Sequence, residues 1–83
     1  MSIRKHYMTL CLRGNTEVTH IIKSGRLEVT FEQATKGGFN TLVVLDDCTI
    51  VSNTGFNDSE ISFYIQFLKN NIDVMWKEAK GLL

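Results

Sequence analysis

Residues 26–32, Arg26-Leu27-Glu28-Val29-Thr30-Phe31-Glu32, alternate polar and apolar side chains without exception. A period of two is what a strand with one buried face requires, so this stretch reads as β-structure with Leu27, Val29 and Phe31 turned inward. Upstream, Val18 to Lys23 also reads as strand, and Ser24-Gly25 between them suits a two-residue hairpin turn, because glycine accepts positive φ. That turn sets a register: Lys23 opposite Arg26, Ile22 opposite Leu27, His20 opposite Val29 and Val18 opposite Phe31. His20 therefore shares the apolar face.

Further upstream, Tyr7 to Leu12 reads as a first strand presenting Met8, Leu10 and Leu12 on one side. A two-residue turn at Gly14-Asn15 would send those three away from the core. A five-residue loop from Arg13 to Glu17 places them over Ile22, His20 and Val18, and burial favours that longer loop. Downstream, Gly37-Gly38 break the chain, and Phe39 to Leu45 and Cys48 to Ser52 form a second hairpin around Asp46-Asp47. The run Leu42-Val43-Val44-Leu45 is apolar on both faces, as expected of an interior strand or one covered on both sides.

From Asn57 the period lengthens to 3.6. Asn57 is a good N-cap, Glu60 completes a capping box with it, and Phe56 before the cap is placed to staple against Ile61. The Asn57-Asp58-Ser59 triplet reads as this cap rather than as a glycosylation site. Gly81 occupies the position just past the helix end that favours a left-handed residue. Ile61, Ile65, Leu68, Ile72, Met75 and Ala79 fall on one line, flanked by Tyr64 and Trp76, and form the expected core face. Phe63, Phe67 and Val74 lie nearly opposite, which a helix with one solvated face does not need. The expected fold is α+β: an antiparallel sheet of about five strands over about residues 7–52, built as a meander plus a hairpin. One long C-terminal helix, about 58–80, packs on it in a single domain.

The totals bound what such a domain does. At 83 residues the chain supports one modest core, and the absence of proline argues against a disordered linker. Nine Lys and Arg balance nine Asp and Glu, and the basic residues are scattered, which is a poor footprint for nucleic acid. Single-stranded nucleic acid on the outer sheet face, using Tyr7 with Lys23 or Arg26, is the weakest class for the same reason. No apolar run reaches membrane-span length and no apolar signal-peptide core opens the chain, so the expected setting is cytoplasmic, with Cys11 and Cys48 as free thiols.

No phosphate loop, dinucleotide fingerprint, zinc-helix motif or nucleophile elbow is present. The lone Lys36-Gly37-Gly38 run lacks a following helix to bind phosphate, and reads as a loop. Cys11, Cys48, His20 and the Asp46-Asp47 pair show no ligand spacing, so neither metal nor cofactor is expected. A histidine among apolar strand neighbours usually holds one hydrogen bond as a neutral core residue, so no catalytic set is expected, nor an enzyme. A small-ligand site around His20 and Cys11 remains the alternative.

His20, Gly25, the alternating Leu27-Glu28-Val29-Thr30-Phe31, then Gly55-Phe56, Glu60, Asn71 and Trp76 form a pattern. It resembles a family of small bacterial proteins of unknown function, often encoded beside toxin–antitoxin type genes. The resemblance covers residues 7–32 and 49–78. It departs where that family carries prolines before its histidine and a second histidine after it; Val18-Thr19 and Ile22 stand there instead. It implies the same fold and a regulator of phage or toxin–antitoxin type. The leading expectation from the residues is a non-enzymatic protein-interaction module, homodimeric or bound to another protein, with Phe63, Phe67 and Val74 at the interface.

Overall fold

The computed structural model describes residues 4–11 and 14–81. Five strands, β1 (Lys5–Cys11), β2 (Asn15–Lys23), β3 (Arg26–Thr35), β4 (Gly38–Leu45) and β5 (Ile50–Thr54), precede one helix, α1 (Asp58–Ala79). The strands pair in chain order as an antiparallel meander, so β1 and β5 are the two edges. The helix lies across one face, and the fold is the expected α+β arrangement.

The central hairpin forms in the register read from its turn, with Lys23 opposite Arg26 and Val18 opposite Phe31. Ser24 and Gly25 both adopt positive φ, 53° and 76°, the conformation whose twist matches the flanking strands. β4 lies inside the sheet, between β3 and β5, which accounts for its two apolar faces. Leu42 and Val44 are buried on the helix side, while Val43 and Leu45 are half-buried on the other. Among the described residues no second layer covers that other face. Part of it is shielded by Arg4, whose Nη1 donates to Thr30 Oγ1 at 2.7 Å.

Three local expectations are corrected. First, β2 begins at Asn15, so no five-residue loop separates it from β1: Leu10 stands opposite Thr16 and Cys11 opposite Asn15. Registers that differ by an even number of residues put the same side chains inward, so burial cannot choose between them, and the longer ladder forms. Leu12 and Arg13 lie outside the described residues. Second, the register shifts between His6 and Met8, and this bulge turns Tyr7 rather than Met8 under the helix. Met8 is left exposed. Third, β5 starts at Ile50, not Cys48. Cys48 takes φ 69° as the third residue of the loop; its N–H donates to Leu45 O, and Leu45 N–H donates to Thr49 O.

The helix starts as its sequence requires. Asn57 Oδ1 accepts from Glu60 N–H at 2.9 Å, and Glu60 Oε1 accepts from Asn57 N–H at 3.0 Å. Lys80 is the C-cap and Gly81, at φ 77°, closes the end. Before the cap, Gly55 holds φ 90° with its α-carbon against the Asn40 side chain, in a space a methyl group would overlap. Phe56 is buried and meets Tyr64 edge-on, ring centroids 5.0 Å apart.

The buried line of the helix is Tyr64, Leu68 and Met75, and the Ile61, Ile65 and Ile72 positions are only half-buried. Counting about 100° per residue, the helix is rotated by about 40° from the expected seating. Tyr64 explains the rotation. Its ring stacks on Phe31 at 4.7 Å, and its hydroxyl shares a 2.8 Å hydrogen bond with Thr16 Oγ1, both residues being fully buried. Burying an isoleucine or a ring contributes a similar amount, roughly 1.5–3 kcal/mol, so the stacking on Phe31 and the hydrogen bond to Thr16, which the isoleucine line does not offer, are what favour this seating.

Candidate functional site

His20 is buried on the helix face, as its register predicts, but its surroundings differ from expectation. Neither ring nitrogen has a hydrogen-bond partner among the described residues. Nε2 approaches Glu78 Oε2 of the helix at 3.8 Å, an ion-pair distance rather than a hydrogen bond. Tyr7 tilts against the imidazole with centroids 5.8 Å apart, and its hydroxyl donates to Asn71 Oδ1 at 3.0 Å. Burial, reinforced by the negative charge of Glu78, raises the Tyr7 pKa above 10. Lys5, opposite His20 on β1, donates through Nζ to Ala79 O at 3.5 Å. These contacts tie the end of the helix to the first two strands.

Cys11 does not join this group. It pairs with Asn15 at the far end of β2, about 17 Å from His20 at a strand rise of about 3.3 Å per residue. Its Sγ contacts Asn15 Oδ1 at 3.4 Å and is exposed. The ligand site expected from His20 and Cys11 together is therefore not assembled. Among the described residues no group of three or more His, Cys, Asp or Glu is placed to hold a metal ion, and no helix is long and apolar enough to cross a membrane.

The rotated helix also redistributes the second apolar stripe. Phe67 is half-buried within its own chain, with edge-on contacts to Phe31 at 6.1 Å and Tyr7 at 6.2 Å. It no longer needs an external cover. Phe63 and Val74 stay exposed, each at 44%, eleven residues apart and so about 16 Å along the axis. They are separate apolar points rather than a patch.

A second exposure, centred on the adjacent Ile50 and Val51, lies where the sequence reading did not look. Of the six large hydrophobic residues exposed among the described ones, Phe39, Ile50 and Val51 belong to β4 and β5, at 59%, 46% and 54%. Ile50 stands opposite Val44 on the helix side, Ser52 opposite Val43 on the other, and Val51 is the extra residue between them. Val43 and Leu45, half-buried on the uncovered face, extend the apolar surface inward from this edge. All five residues of β5 are exposed, and neither β4 nor β5 contains a charged residue. The readable signal was Ile50-Val51 in a strand without Lys, Glu or Pro, since natural edge strands usually carry such protection.

The turn that launches β5 is pinned. Arg26 Nη2 lies 2.8 Å from Asp46 Oδ1 and 3.0 Å from Asp47 Oδ2, reaching across from the start of β3. Thr49 N–H donates to Asp47 Oδ1 at 3.0 Å. Hydrogen bonds from Thr49, then the Arg26 guanidinium, lower the Asp47 pKa from 3.8 to about 2. The same pair of carboxylates raises the Arg26 pKa. The edge strand is thus presented from a braced hairpin rather than a loose one.

Comparison of the chain with protein-family models, curated proteins and solved structures finds no match.

Proposed function

We propose that this chain is a non-enzymatic protein-interaction module that works through the β4–β5 corner of its sheet. The observation that carries the reading is the adjacent pair of exposed aliphatic residues, Ile50 and Val51, on an uncharged edge strand. An exposed edge offers a row of backbone N–H and C=O groups to another extended chain, and apolar side chains beside it supply the burial that makes such pairing stable. Phe63 and Val74 on the helix add smaller apolar contacts at a distance from this corner. A regulator of phage or toxin–antitoxin type, acting in the cytoplasm, is one form of the same reading and rests on the family resemblance.

Sedimentation of the purified chain over a range of concentrations, beside in-cell cross-linking of wild type and Val51→Lys, tests this. The expectation is an associated species, with itself or with a cellular protein, that Val51→Lys weakens at least tenfold. A chain that remains a 9.4 kDa monomer at high micromolar concentration, with a cross-linking pattern indifferent to Val51→Lys, refutes it.

A buried His20 with no hydrogen-bond partner among the described residues supports a second reading, a small-ligand site between β1, β2 and the end of the helix. It predicts that His20 ring resonances shift on titration with zinc or small anions. Resonances that stay put dispose of it.

A further inference from the structure

We infer that His20 and Glu78 form a proton-dependent clasp that holds the last turns of α1 on β1 and β2. The clasp is closed while the imidazole is cationic and opens as the ring loses its proton.

His20 is 1% exposed and lies under the C-terminal end of the helix, where its Nε2 faces Glu78 Oε2 at 3.8 Å. Glu78, with a side chain 40% exposed, has room to move, and an approach by about 1 Å makes the contact a charge-assisted hydrogen bond. The cationic ring adds direct attraction between opposite charges in a site with little water to screen it. The field of Glu78 does reach this space, since it also raises the Tyr7 pKa.

The groups around the ring set the sign. From α1 come the Glu78 carboxylate and the negative end of the helix dipole, and both favour a cation. From β1, Tyr7 stands 5.8 Å away and is uncharged below pH 10, while Lys5 is the opposing cation. Lys5 Nζ is itself drawn to the negative helix end, donating to Ala79 O at 3.5 Å. From β3 the facing residue is Val29, which carries no charge. Lys80, at the C-cap, lies over the Trp76 ring at 4.9 Å. Burial and Lys5 oppose charge on His20; the carboxylate in contact with Nε2 and the helix end outweigh them. A histidine that gains such a partner on folding contributes stability that is present in acid and lost as pH rises through its titration.

Once the ring is neutral, the last turn is held by Lys5 and by the apolar packing of Trp76 and Ala79. Its opening uncovers Met75, fully buried in the closed form, and the ring of Tyr7 beneath it. Histidine is the side chain that changes charge nearest neutral pH, so the clasp makes an apolar surface at the helix end depend on proton concentration.

The test is amide hydrogen exchange of the full chain in zinc-free buffer from about pH 4.5 to 9, read as protection factors, with ring nitrogen NMR shifts reporting the charge of His20. Protection of residues 75–80 should fall about fivefold or more in step with deprotonation of His20, while residues 64–68 in the middle of the helix stay constant. Glu78→Gln keeps an acceptor but removes the charge, and should hold residues 75–80 at the alkaline wild-type level throughout. His20→Gln should do the same, and if it does not fold, Glu78→Gln decides alone. Protection that stays flat as His20 deprotonates, or that rises with pH, overturns the clasp. A fall that Glu78→Gln leaves intact also overturns it, and assigns the effect to another group such as His6 beside Glu17.

Discussion

The hydrogen bond between Thr16 and Tyr64 joins residues 48 positions apart and is a fully buried polar contact between the helix and β2. Replacing Tyr64 by Phe keeps the ring stacked on Phe31 but leaves the Thr16 hydroxyl without its partner in a dry site. The expected cost is about 1–3 kcal/mol, the penalty for an unsatisfied buried hydroxyl. Thr16→Val keeps the volume and orphans the tyrosine hydroxyl instead, at about the same cost. The double variant buries two apolar groups in place of two unpaired polar ones, so it should be more stable than the sum of the single losses predicts, with a coupling of about 1–2 kcal/mol. In a domain of this size each kcal/mol moves Tm by about 4–8 °C. The assay is urea unfolding at one fixed protein concentration, followed by far-UV circular dichroism and Trp76 fluorescence, with m unchanged across the four proteins. Strict additivity, within about 0.5 kcal/mol, refutes the claim that this bond seats the helix.

Other outcomes follow from the same geometry. Because the Tyr7 pKa is raised above 10 in the fold, its contribution to stability is present in full below pH 10 and is lost as pH rises through the folded value. Glu78→Gln should lower the Tyr7 titration midpoint towards 10, measured by tyrosinate absorbance or ring NMR; a midpoint that does not move means that Glu78 is not a cause. Asp47 has the opposite sign: its pKa falls from 3.8 to about 2, so its stabilisation is present above about pH 4 and disappears as pH falls through about 2. Side-chain carboxyl NMR should find it ionised at pH 3, and Thr49→Ala should raise its midpoint. Gly55→Ala should cost about 2 kcal/mol or more in urea unfolding, since the methyl group meets Asn40 and φ 90° disfavours an L-residue. A loss under 0.5 kcal/mol would show that the chain relaxes there freely.

Much of the fold was legible because the forces that decide it are local. The alternation of residues 26–32, the Ser24-Gly25 turn and the Asn57–Glu60 capping box each depend on neighbours a few residues away, and each forms as read. The candidate site was not legible to the same degree. His20 was correctly placed on the apolar face, but its separation from Cys11 depends on where β1 registers against β2, and two registers of equal parity look alike in sequence. Phe67 reads as a surplus aromatic until the helix is rotated, and then it lies against Phe31 and Tyr7.

By itself the sequence determined which segments are strand or helix, which side of β2 and β3 is buried and how the central hairpin pairs, since these follow from periodicity and turn chemistry within the chain. The tertiary structure alone decided the rotation of the helix, the bulge that brings Tyr7 inward and the status of β5 as an unprotected edge. The reason is physical: those features arise from competition among side chains distant in sequence for the same space, where Tyr64 meeting Phe31 and Thr16 outweighs a line of isoleucines. No local pattern encodes the winner of such a contest.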